Sequence, residues 1–254
     1  MKILILNVQQ NFNKNLKPFL CSCLQNREYD IFCLQEANQG ILNYMLDLEN
    51  YDYHTLSTTH PETNETMELV TIYKKELTLK KSKLIPFSQF SNTQILSKGA
   101  LISEFQINSS QNHSNLTIAN IHLHCGGGFK TYARLKSLKY LEKFLDKQHN
   151  TQKIICGDFN NSFPFEAKFF DYILRKKWIN ASQKIKYTFD SRYVESRISK
   201  KKAYKIFSLG GRILPKAKLD HVYLTKNFRS SYKIYTLKNP IVSDHLPLII
   251  ETHG

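Results

Sequence analysis

The chain has 254 residues, of which 41% are hydrophobic, and a formal net charge of +15 at pH 7. This size and hydrophobic content allow a full core in one large domain or two small ones. No apolar stretch reaches the roughly 18 residues that a membrane-spanning helix requires. The five cysteines are odd in number and match no zinc-ligand spacing, which favours a reducing compartment over a disulfide-rich secreted protein.

The N-terminal run MKILILN could be misread as the start of a signal peptide. The run is short, is interrupted by Asn7 and is not followed by a small-residue cleavage site, so we interpret it as the first strand. We therefore expect a soluble or cytoplasmic protein without a cleavable signal peptide, and secretion by a non-classical route stays open.

The hydrophobic pattern predicts strands and helices in irregular alternation. In chain order these are a strand at 2–7, a helix at 14–25, a strand at 30–35, a helix at 38–48, strands at 51–57, 67–74, 99–107 and 116–123, a helix at 131–148, a strand at 153–157, a helix at 165–175, and strands at 219–224, 231–237 and 246–252. Predicted loops are 58–66, 85–97 and part of 108–114. The mixture of hairpins and βα units predicts an α/β sandwich with more than one sheet.

Six apolar runs end in polar residues suited to binding a metal or a phosphate. They are ILILNVQ with Asn7, IFCLQEA with Glu36, IANIHLH with His122, KIICGDFN with Asp158 and Asn160, KLDHVYL with Asp220, and IVSDHLPLII with Asp244 and His245. The end of a buried strand is a position from which a side chain can reach into a cleft. Because these runs extend from residue 7 to residue 245, they favour one domain over 1–254 whose two ends meet at one site.

These residue types suit the hydrolysis of a phosphodiester. Mg²⁺ prefers carboxylate and amide oxygens and keeps several waters, so Glu36 and Asn7 are candidates for a partial metal shell. The reaction also requires a base for water and a group that stabilises the developing charge. His245 and Asp158 are both candidate bases, and Asn160 can donate a hydrogen bond to a phosphoryl oxygen.

A basic segment lies between the Asp158 and Asp220 motifs. Residues 175 to 218 contain 14 Lys or Arg and two acidic residues, a local charge of +12. Such a segment attracts polyanions, and its interleaved aromatic residues suit stacking on bases. The aromatic residues are Tyr187, Phe189, Tyr193, Tyr204 and Phe207, and the candidate substrate-binding lysines are Lys200, Lys201 and Lys202. A Lys-rich solvated loop is the alternative interpretation.

The motifs resemble those of the endonuclease/exonuclease/phosphatase superfamily, the DNase I-like metal-dependent phosphodiesterases. GDFN at 157–160 and SDHLP at 243–247 are the most specific parts, and the motifs follow the family's order along the whole chain. The resemblance implies a four-layer α/β sandwich, in which two mixed sheets pack face to face with helices outside. It also implies Mg²⁺ or Mn²⁺ as the cofactor.

The resemblance further implies a role for each candidate residue. Glu36 would bind the metal with help from Asn7, and Asp158 would activate or position the water. His245 would act as a base or phosphate ligand, oriented by Asp220, while Asp244 would support the site. Asn160 and His122 would contact the phosphate, and Arg134 would contact the substrate. The chain departs from the pattern at Gln9, where some relatives carry an acid. The carboxylate that often partners the strand histidine is either Glu65 or Glu68.

Three functions remain open from the sequence. A metal-dependent nuclease, with DNA or RNA as its substrate, is the first, and we expect it to be a monomer. The second is a phospholipid phosphodiesterase or a phosphoinositide phosphatase, for which the basic segment would contact an anionic membrane. The third, a binding module on an inactive scaffold, conflicts with the presence of every core catalytic position.

Overall fold

The computed structural model describes residues 1–9, 14–45, 49–59, 66–87, 90, 98–108, 113–125, 129–148, 152–161, 163–190, 192 and 216–253. The predicted substrate contacts Lys200, Lys201 and Lys202 therefore lie outside the described residues, as do most of the predicted loops. Within the described part of the chain, no helix is both long and apolar enough to cross a membrane.

Fourteen strands and four helices make up the described part of the fold. The strands are β1 (Lys2–Asn7), β2 (Ile31–Ala37), β3 (Tyr51–Thr59), β4 (Thr66–Lys74), β5 (Thr78–Pro86), β6 (Gly99–Asn108), β7 (His113–His122), β8 (Gln152–Asp158), β9 (Trp178–Asn180), β10 (Phe189–Asp190), β11 (Lys216–Ala217), β12 (Asp220–Thr225), β13 (Ser231–Thr236) and β14 (Leu248–His253). The helices are α1 (Leu16–Gln25), α2 (Gln39–Met45), α3 (Phe129–Asp146) and α4 (Pro164–Leu174).

The strands form two mixed six-stranded sheets. The first sheet has the order β13-β14-β1-β2-β4-β3, and the second has the order β5-β6-β7-β8-β12-β9. The pairs β1–β2 and β7–β8 are parallel, whereas the pairs β1–β14 and β8–β12 are antiparallel. Strands β10 and β11 form a separate two-stranded ribbon. The predicted α/β sandwich with two mixed sheets is confirmed.

The alternation of side chains along β1 explains the layering. Ile3 and Ile5 join a buried cluster that contains residues of both sheets, such as Phe105 of the second sheet. Leu4 and Leu6 join a different cluster, which contains the buried residues of α1 and α2. A third cluster packs α3 and α4 against the second sheet. Because successive strand residues point to opposite faces, each sheet has one face toward the other sheet and one toward helices.

Strand β5 was not predicted from the sequence. Its run TLKKSKLIP has one buried residue, Ile85, and the alternation that identifies a strand is therefore absent. The strand lies at the edge of the second sheet, where exposed lysines discourage pairing with another chain. Three such lysines are present: Lys80, Lys81 and Lys83.

Gly157 permits a close approach between two central strands. Its φ is +132°, a conformation that side chains disfavour, and a Cβ at this position would lie 2.2 Å from the carbonyl oxygen of Ile121. Gly157 directly precedes Asp158, and Ile121 directly precedes His122. The glycine of the GDFN motif therefore sets the spacing between the strands that carry these two residues.

We predict that Gly157→Ala lowers the free energy of unfolding by at least about 1–3 kcal/mol, because the methyl group clashes with backbone and the positive φ is strained. Chemical denaturation would measure the loss. Ser82→Ala, at an exposed position of β5, is the matched control and should change stability by less than about 0.5 kcal/mol. Wild-type stability in Gly157→Ala would contradict the assigned strand spacing.

Candidate active site

Strand-end residues from both sheets meet at one place. The Asn7 Nδ2 atom, from β1 in the first sheet, donates a 2.9 Å hydrogen bond to Asp158 Oδ2, from β8 in the second. The His122 Nε2 atom lies 3.5 Å from Glu36 Oε1 and 3.5 Å from Asp158 Oδ2. Residues distant in sequence, on β1, β2, β7 and β8, therefore share one polar cluster.

Strand register places three of the candidates side by side in the second sheet. Asp158 pairs with His122 on one side and with Asp220 on the other. Residues directly opposite each other on paired strands project to the same face of a sheet. His122, Asp158 and Asp220 thus form one row, and all three side chains are buried.

His245 is held beside this row by Asp220. The His245 Nδ1 atom lies 2.8 Å from Asp220 Oδ2. Burial disfavours the charged ring, but Asp220, Asp158 and Asp244 outweigh it and raise the pKa of His245 to about 10. At neutral pH the ring is therefore a cation, which suits the stabilisation of negative charge on a phosphate more than it suits the acceptance of a proton.

Asp158 is the better candidate base. Burial raises the pKa of Asp158 to about 6, and the nearby cationic His245 opposes this rise. A carboxylate with a pKa close to neutrality remains ionised at pH 7 and is more basic than an ordinary aspartate. Burial likewise raises the pKa of Asp244 to about 6.

Asn160 positions Asp158. Its backbone N–H donates to Asp158 Oδ1 at 2.8 Å, and its Nδ2 donates to Asp158 Oδ2 at 3.1 Å and to the Leu123 carbonyl oxygen at 2.9 Å. An amide nitrogen has two donor hydrogens, and both are engaged. These hydrogen bonds hold the Asn160 side chain against the candidate base, and the phosphate contact expected of Asn160 stays a prediction.

Ser243 joins the two ends of the chain at the site, a role not predicted from the sequence. Its Oγ donates to the Asn7 carbonyl oxygen at 2.7 Å and accepts the His245 backbone N–H at 3.2 Å. It also lies 3.1 Å from Asp244 Oδ1. The serine of the SDHLP motif thus fixes the histidine loop against the end of β1.

Two buried amides bridge the sheets behind Glu36. Gln35 Nε2 donates to Asn120 Oδ1 at 2.7 Å, and Asn120 Nδ2 donates to the carbonyl oxygens of Leu34 and Val70. A bulge interrupts the β2–β4 pairing between Leu34 and Ala37, and Glu36 within it has a φ of 56°. The amide pair therefore supports the unusual backbone that carries Glu36.

Positive backbone φ values are concentrated near the site. Among the described residues other than glycine, four have positive φ, and three of these are Gln9, Glu36 and Asn160. Such conformations cost free energy and persist only where surrounding contacts hold them. Their clustering around Asp158 indicates a backbone shaped for the placement of these side chains.

Lys98 is a buried cation that was not predicted from the sequence. Its Nζ contacts the His122 ring closely at Nε2 and lies 3.2 Å from Nδ1. Burial and the adjacent Lys98 hold the pKa of His122 well below its usual range, so this ring is neutral. The lysine directly follows a predicted loop, and nothing in the local sequence indicates its burial.

Comparison with known proteins identifies the fold. No protein-family profile and no curated protein sequence matches the chain. Among solved structures, D. rerio TDP2 complexed with a single-strand DNA product matches with a TM-score of 0.72 and 16% identity, over 100% of this chain and 99% of that one. An endonuclease/exonuclease/phosphatase family protein from Leptotrichia buccalis matches with a TM-score of 0.68 and 18% identity, over 100% of both chains. A Bacteroides thetaiotaomicron mannosyl-6-phosphatase matches with a TM-score of 0.66 and 16% identity, over 100% of both chains.

The chain has the endonuclease/exonuclease/phosphatase fold. This finding confirms the four-layer arrangement that the sequence resemblance implied. The candidate site lies at the strand ends that carry the motifs GDFN and SDHLP, on which the sequence resemblance was based. Fold similarity at this level of identity does not itself assign a substrate.

The donor chemistry around Glu36 fits a hard divalent cation. Glu36 is partly exposed, and its carboxylate and the Asn7 amide oxygen are hard oxygen donors. No group of three or more His, Cys, Asp or Glu side chains in the described ranges is arranged to hold a metal ion. Carboxylate and amide oxygens are the donors that Mg²⁺ prefers, since Mg²⁺ retains several waters and binds substrate oxygens.

Arg134 differs from its predicted role in substrate binding. Its side chain is fully buried, donates to both carboxylate oxygens of Glu166 at 2.7 and 2.8 Å, and donates to the His124 carbonyl oxygen at 2.7 Å. A substrate cannot reach a guanidinium in this position. The sequence suggested a substrate contact because it does not reveal the partner 32 residues further along the chain.

Three further buried side chains, those of His124, His221 and Glu68, have identified hydrogen-bond partners. The His124 Nε2 atom lies 3.2 Å from the Phe87 carbonyl oxygen, and the His221 Nε2 atom lies 3.1 Å from Asn161 Oδ1. Both histidines are buried outside the catalytic row. Glu68 is buried and accepts a hydrogen bond from Ser57 at 3.2 Å, whereas Glu65 lies outside the described residues.

We predict that Arg134→Ala lowers the free energy of unfolding by about 3–5 kcal/mol, because it leaves Glu166 buried without its ionic partner. Denaturant unfolding would measure the change. Lys177→Ala is the control, because it removes an exposed pair with Asp146 and should cost less than about 1 kcal/mol. Unchanged stability together with a raised KM would restore the substrate-binding role.

We predict that Asp220→Asn lowers the pKa of His245 toward its usual value near 6.5. In the wild type, the folded-state pKa is raised, so this ion pair stabilises the fold fully below pH 6.5 and loses its effect as the pH rises toward about 10. An NMR titration of the histidine ring in metal-free protein would measure the pKa. Asp146→Asn, at an exposed position, should leave it unchanged, and an unshifted pKa in Asp220→Asn would exclude Asp220 as its cause.

Proposed function

We propose that this protein is a divalent-metal-dependent phosphodiesterase that hydrolyses nucleic acid and acts as a single-domain monomer. The observation that carries the proposal is the meeting of Glu36 and Asn7, an oxygen donor pair, with Asp158 and the Asp220–His245 pair. This set contains metal donors, a base and a cation, which are the groups that cleavage of a phosphate ester requires.

The proposed division of roles follows the charges of the site. Glu36 and the Asn7 amide oxygen would hold the cation, which supplies positive charge to the phosphate when bound. Asp158, positioned by Asn160, accepts the proton of the attacking water. The protonated His245, oriented by Asp220, stabilises the negative charge that develops on the phosphate. Asp244 supports this charge state of His245.

His122 and Lys98 complete the proposed phosphate site. The His122 ring is neutral and lies between Glu36 and Asp158, so it does not repel a metal ion, and the Lys98 ammonium that contacts its Nε2 atom is the donor available to a phosphoryl oxygen. Lys98 supplies a fixed positive charge beside it. Both groups are buried, where the low dielectric strengthens their interaction with an anion.

Nucleic acid is the preferred substrate because a described part of the basic segment contacts His245. Phe189 of β10 forms a β-bridge with His245, and its ring packs 5.3 Å from the imidazole. In the paired strand β11, Lys216 lies 4.4 Å from the Tyr187 ring. The described ends of the segment of residues 175 to 218 thus support a cationic surface beside the site. The single-strand DNA product of the similar TDP2 structure agrees with this choice.

We predict that the wild type cleaves DNA or RNA with Mg²⁺ or Mn²⁺ and not with EDTA, and that Glu36→Gln and His245→Asn each lose at least about 10²-fold in rate. The screen would include single-stranded DNA, supercoiled plasmid, single-stranded RNA, sphingomyelin and a phosphoinositide. Calorimetric titration with Mn²⁺ should also show weakened binding to Glu36→Gln.

Glu28→Gln and His253→Asn are matched controls, because both residues are exposed and neither lies within one of the six motifs. These two variants should retain wild-type rates. Hydrolysis of a lipid with intact nucleic acid would overturn the proposed substrate and favour the phospholipid alternative. Full activity in Glu36→Gln would overturn the proposed metal site.

A further inference from the structure

Exposed aromatic side chains lie along α4 and at the residue before it. Phe163, Phe165, Phe169 and Tyr172 have exposed fractions of 46%, 52%, 48% and 62%. The opposite side of the helix packs into the core through Phe170 and Leu174. Large aromatic groups on the solvent side of a helix that already buries its other side indicate a surface for binding.

Phe163 and Phe165 are arranged as a stacked pair. Their ring centroids lie 5.3 Å apart and their planes differ by 7°, whereas Phe169 meets Phe165 edge-on at 89°. Because each ring is only about half covered, aromatic surface remains open to solvent. The pair therefore presents a flat π surface of the kind on which a nucleobase stacks.

The pair lies next to the proposed active site. Phe163 follows Asn160 by three residues, so its Cα is within about 11 Å of the Asn160 Cα even if the chain is fully extended. A base that flanks the scissile phosphate is within this range. The ring pair therefore follows closely, along the chain, the residue that positions the candidate base.

The ring pair is also firmly anchored. Glu166, the residue after Phe165, is fully buried and receives the two hydrogen bonds from Arg134. Arg134 in turn donates to the carbonyl oxygen of His124, two residues beyond His122. This ion pair ties the start of α4 to the end of β7. A platform held in place loses little entropy when a ligand binds.

Cations accompany other exposed aromatic rings of α3 and of the end of α4. The Arg175 guanidinium lies 4.1 Å from the Tyr172 ring centroid, and the Lys136 ammonium lies 4.4 Å from that of Tyr132. Thr131 of α3 contacts Glu166, which brings the start of α3 to the start of α4. Positive charge among exposed rings is the combination that binds single strands, because the charges hold phosphates and the rings hold bases.

We propose that Phe163 and Phe165 form a base-stacking platform that selects single-stranded nucleic acid, or an unpaired end, with the base next to the scissile phosphate on the rings. The proposal rests on the proposed function and names its substrate class. A base within a duplex has both faces covered by its neighbours, so only an unpaired base can use the platform. An anionic membrane is the competing partner, but insertion into lipid does not require parallel rings.

The test compares two double variants on single-stranded and duplex oligonucleotides. Phe163→Leu with Phe165→Leu keeps apolar surface and removes the rings, and Phe163→Ala with Phe165→Ala removes both. We expect both double variants to raise KM for the single strand about tenfold or more, with kcat changed less, because the stacked base is lost. Tyr232→Ala is the control, at an exposed aromatic position on edge strand β13 of the other sheet, and should leave KM unchanged.

A substrate that lacks the base beside the scissile phosphate provides a second measurement. It should raise the wild-type KM by a similar factor and should add nothing to the defect of the double variants, since both changes remove one contact. If the double variants cleave single strands as the wild type does, the platform is excluded while the proposed function stands. If the wild type cleaves no nucleic acid, the proposed function fails first.

Anionic phosphatidylserine vesicles separate the membrane alternative. A lipid surface predicts that vesicle binding survives in the leucine variant and is lost in the alanine variant, with an unchanged oligonucleotide KM in both. That combination of results would overturn the platform. Absence of vesicle binding together with the raised KM would support the platform. Circular dichroism and thermal unfolding of each variant would establish that the substitutions at these exposed positions leave the fold intact.

Discussion

The site depends on hydrogen bonds that lock two sheets in register. Apolar packing between the sheets sets their separation but carries no direction, so it does not place one strand end opposite another. The bonds from Asn7 to Asp158 and from Gln35 to Asn120 supply that direction. Both are buried, and a buried polar group without a partner costs about 1–3 kcal/mol. A shift of one sheet against the other would break both bonds, so catalytic geometry and sandwich stability are coupled.

Charge balance is the second constraint. Asp158, Asp220 and Asp244 are buried together, with Glu36 partly exposed beside them, and burial alone would drive such carboxyl groups toward the neutral form. The cationic His245 partly offsets this for Asp158 and Asp244, and these carboxylates in turn keep His245 charged. The acid and base states of the site thus arise from one shared set of interactions. A divalent cation at Glu36 would act on the same balance, which links metal binding to protonation.

The sequence predicted features that depend on local pattern. Strand β1 is a clear apolar run, and Asn7, Glu36, Asp158, Asp220 and His245 each lie near one end of a recognisable run, so both the sandwich and the meeting of these residues could be predicted. Features that depend on a distant partner could not. Lys98 is indistinguishable from the surface lysines of this Lys-rich chain, and Arg134 looked like a substrate contact because Glu166 is its partner only in three dimensions. Strand β5 was missed because edge strands do not need two-sided burial. The role of Asn120 depends on the bulge at Glu36, which no residue spacing reveals.

The proposed catalytic residues and the proposed polymer-binding residues lie on different parts of this molecule. The catalytic row lies on central strands whose backbone is held on both sides, where small movements are costly. The groups that would contact the rest of a polymer lie on connections that leave the site: the β10 ribbon beside His245 and the start of α4 beyond Asn160. Each connection is tied to a catalytic element, the first by the Phe189–His245 bridge and the second by the Arg134–Glu166 pair. Substrate contacts at either connection can therefore change in sequence without disturbing the row, while still delivering the phosphate to a fixed position.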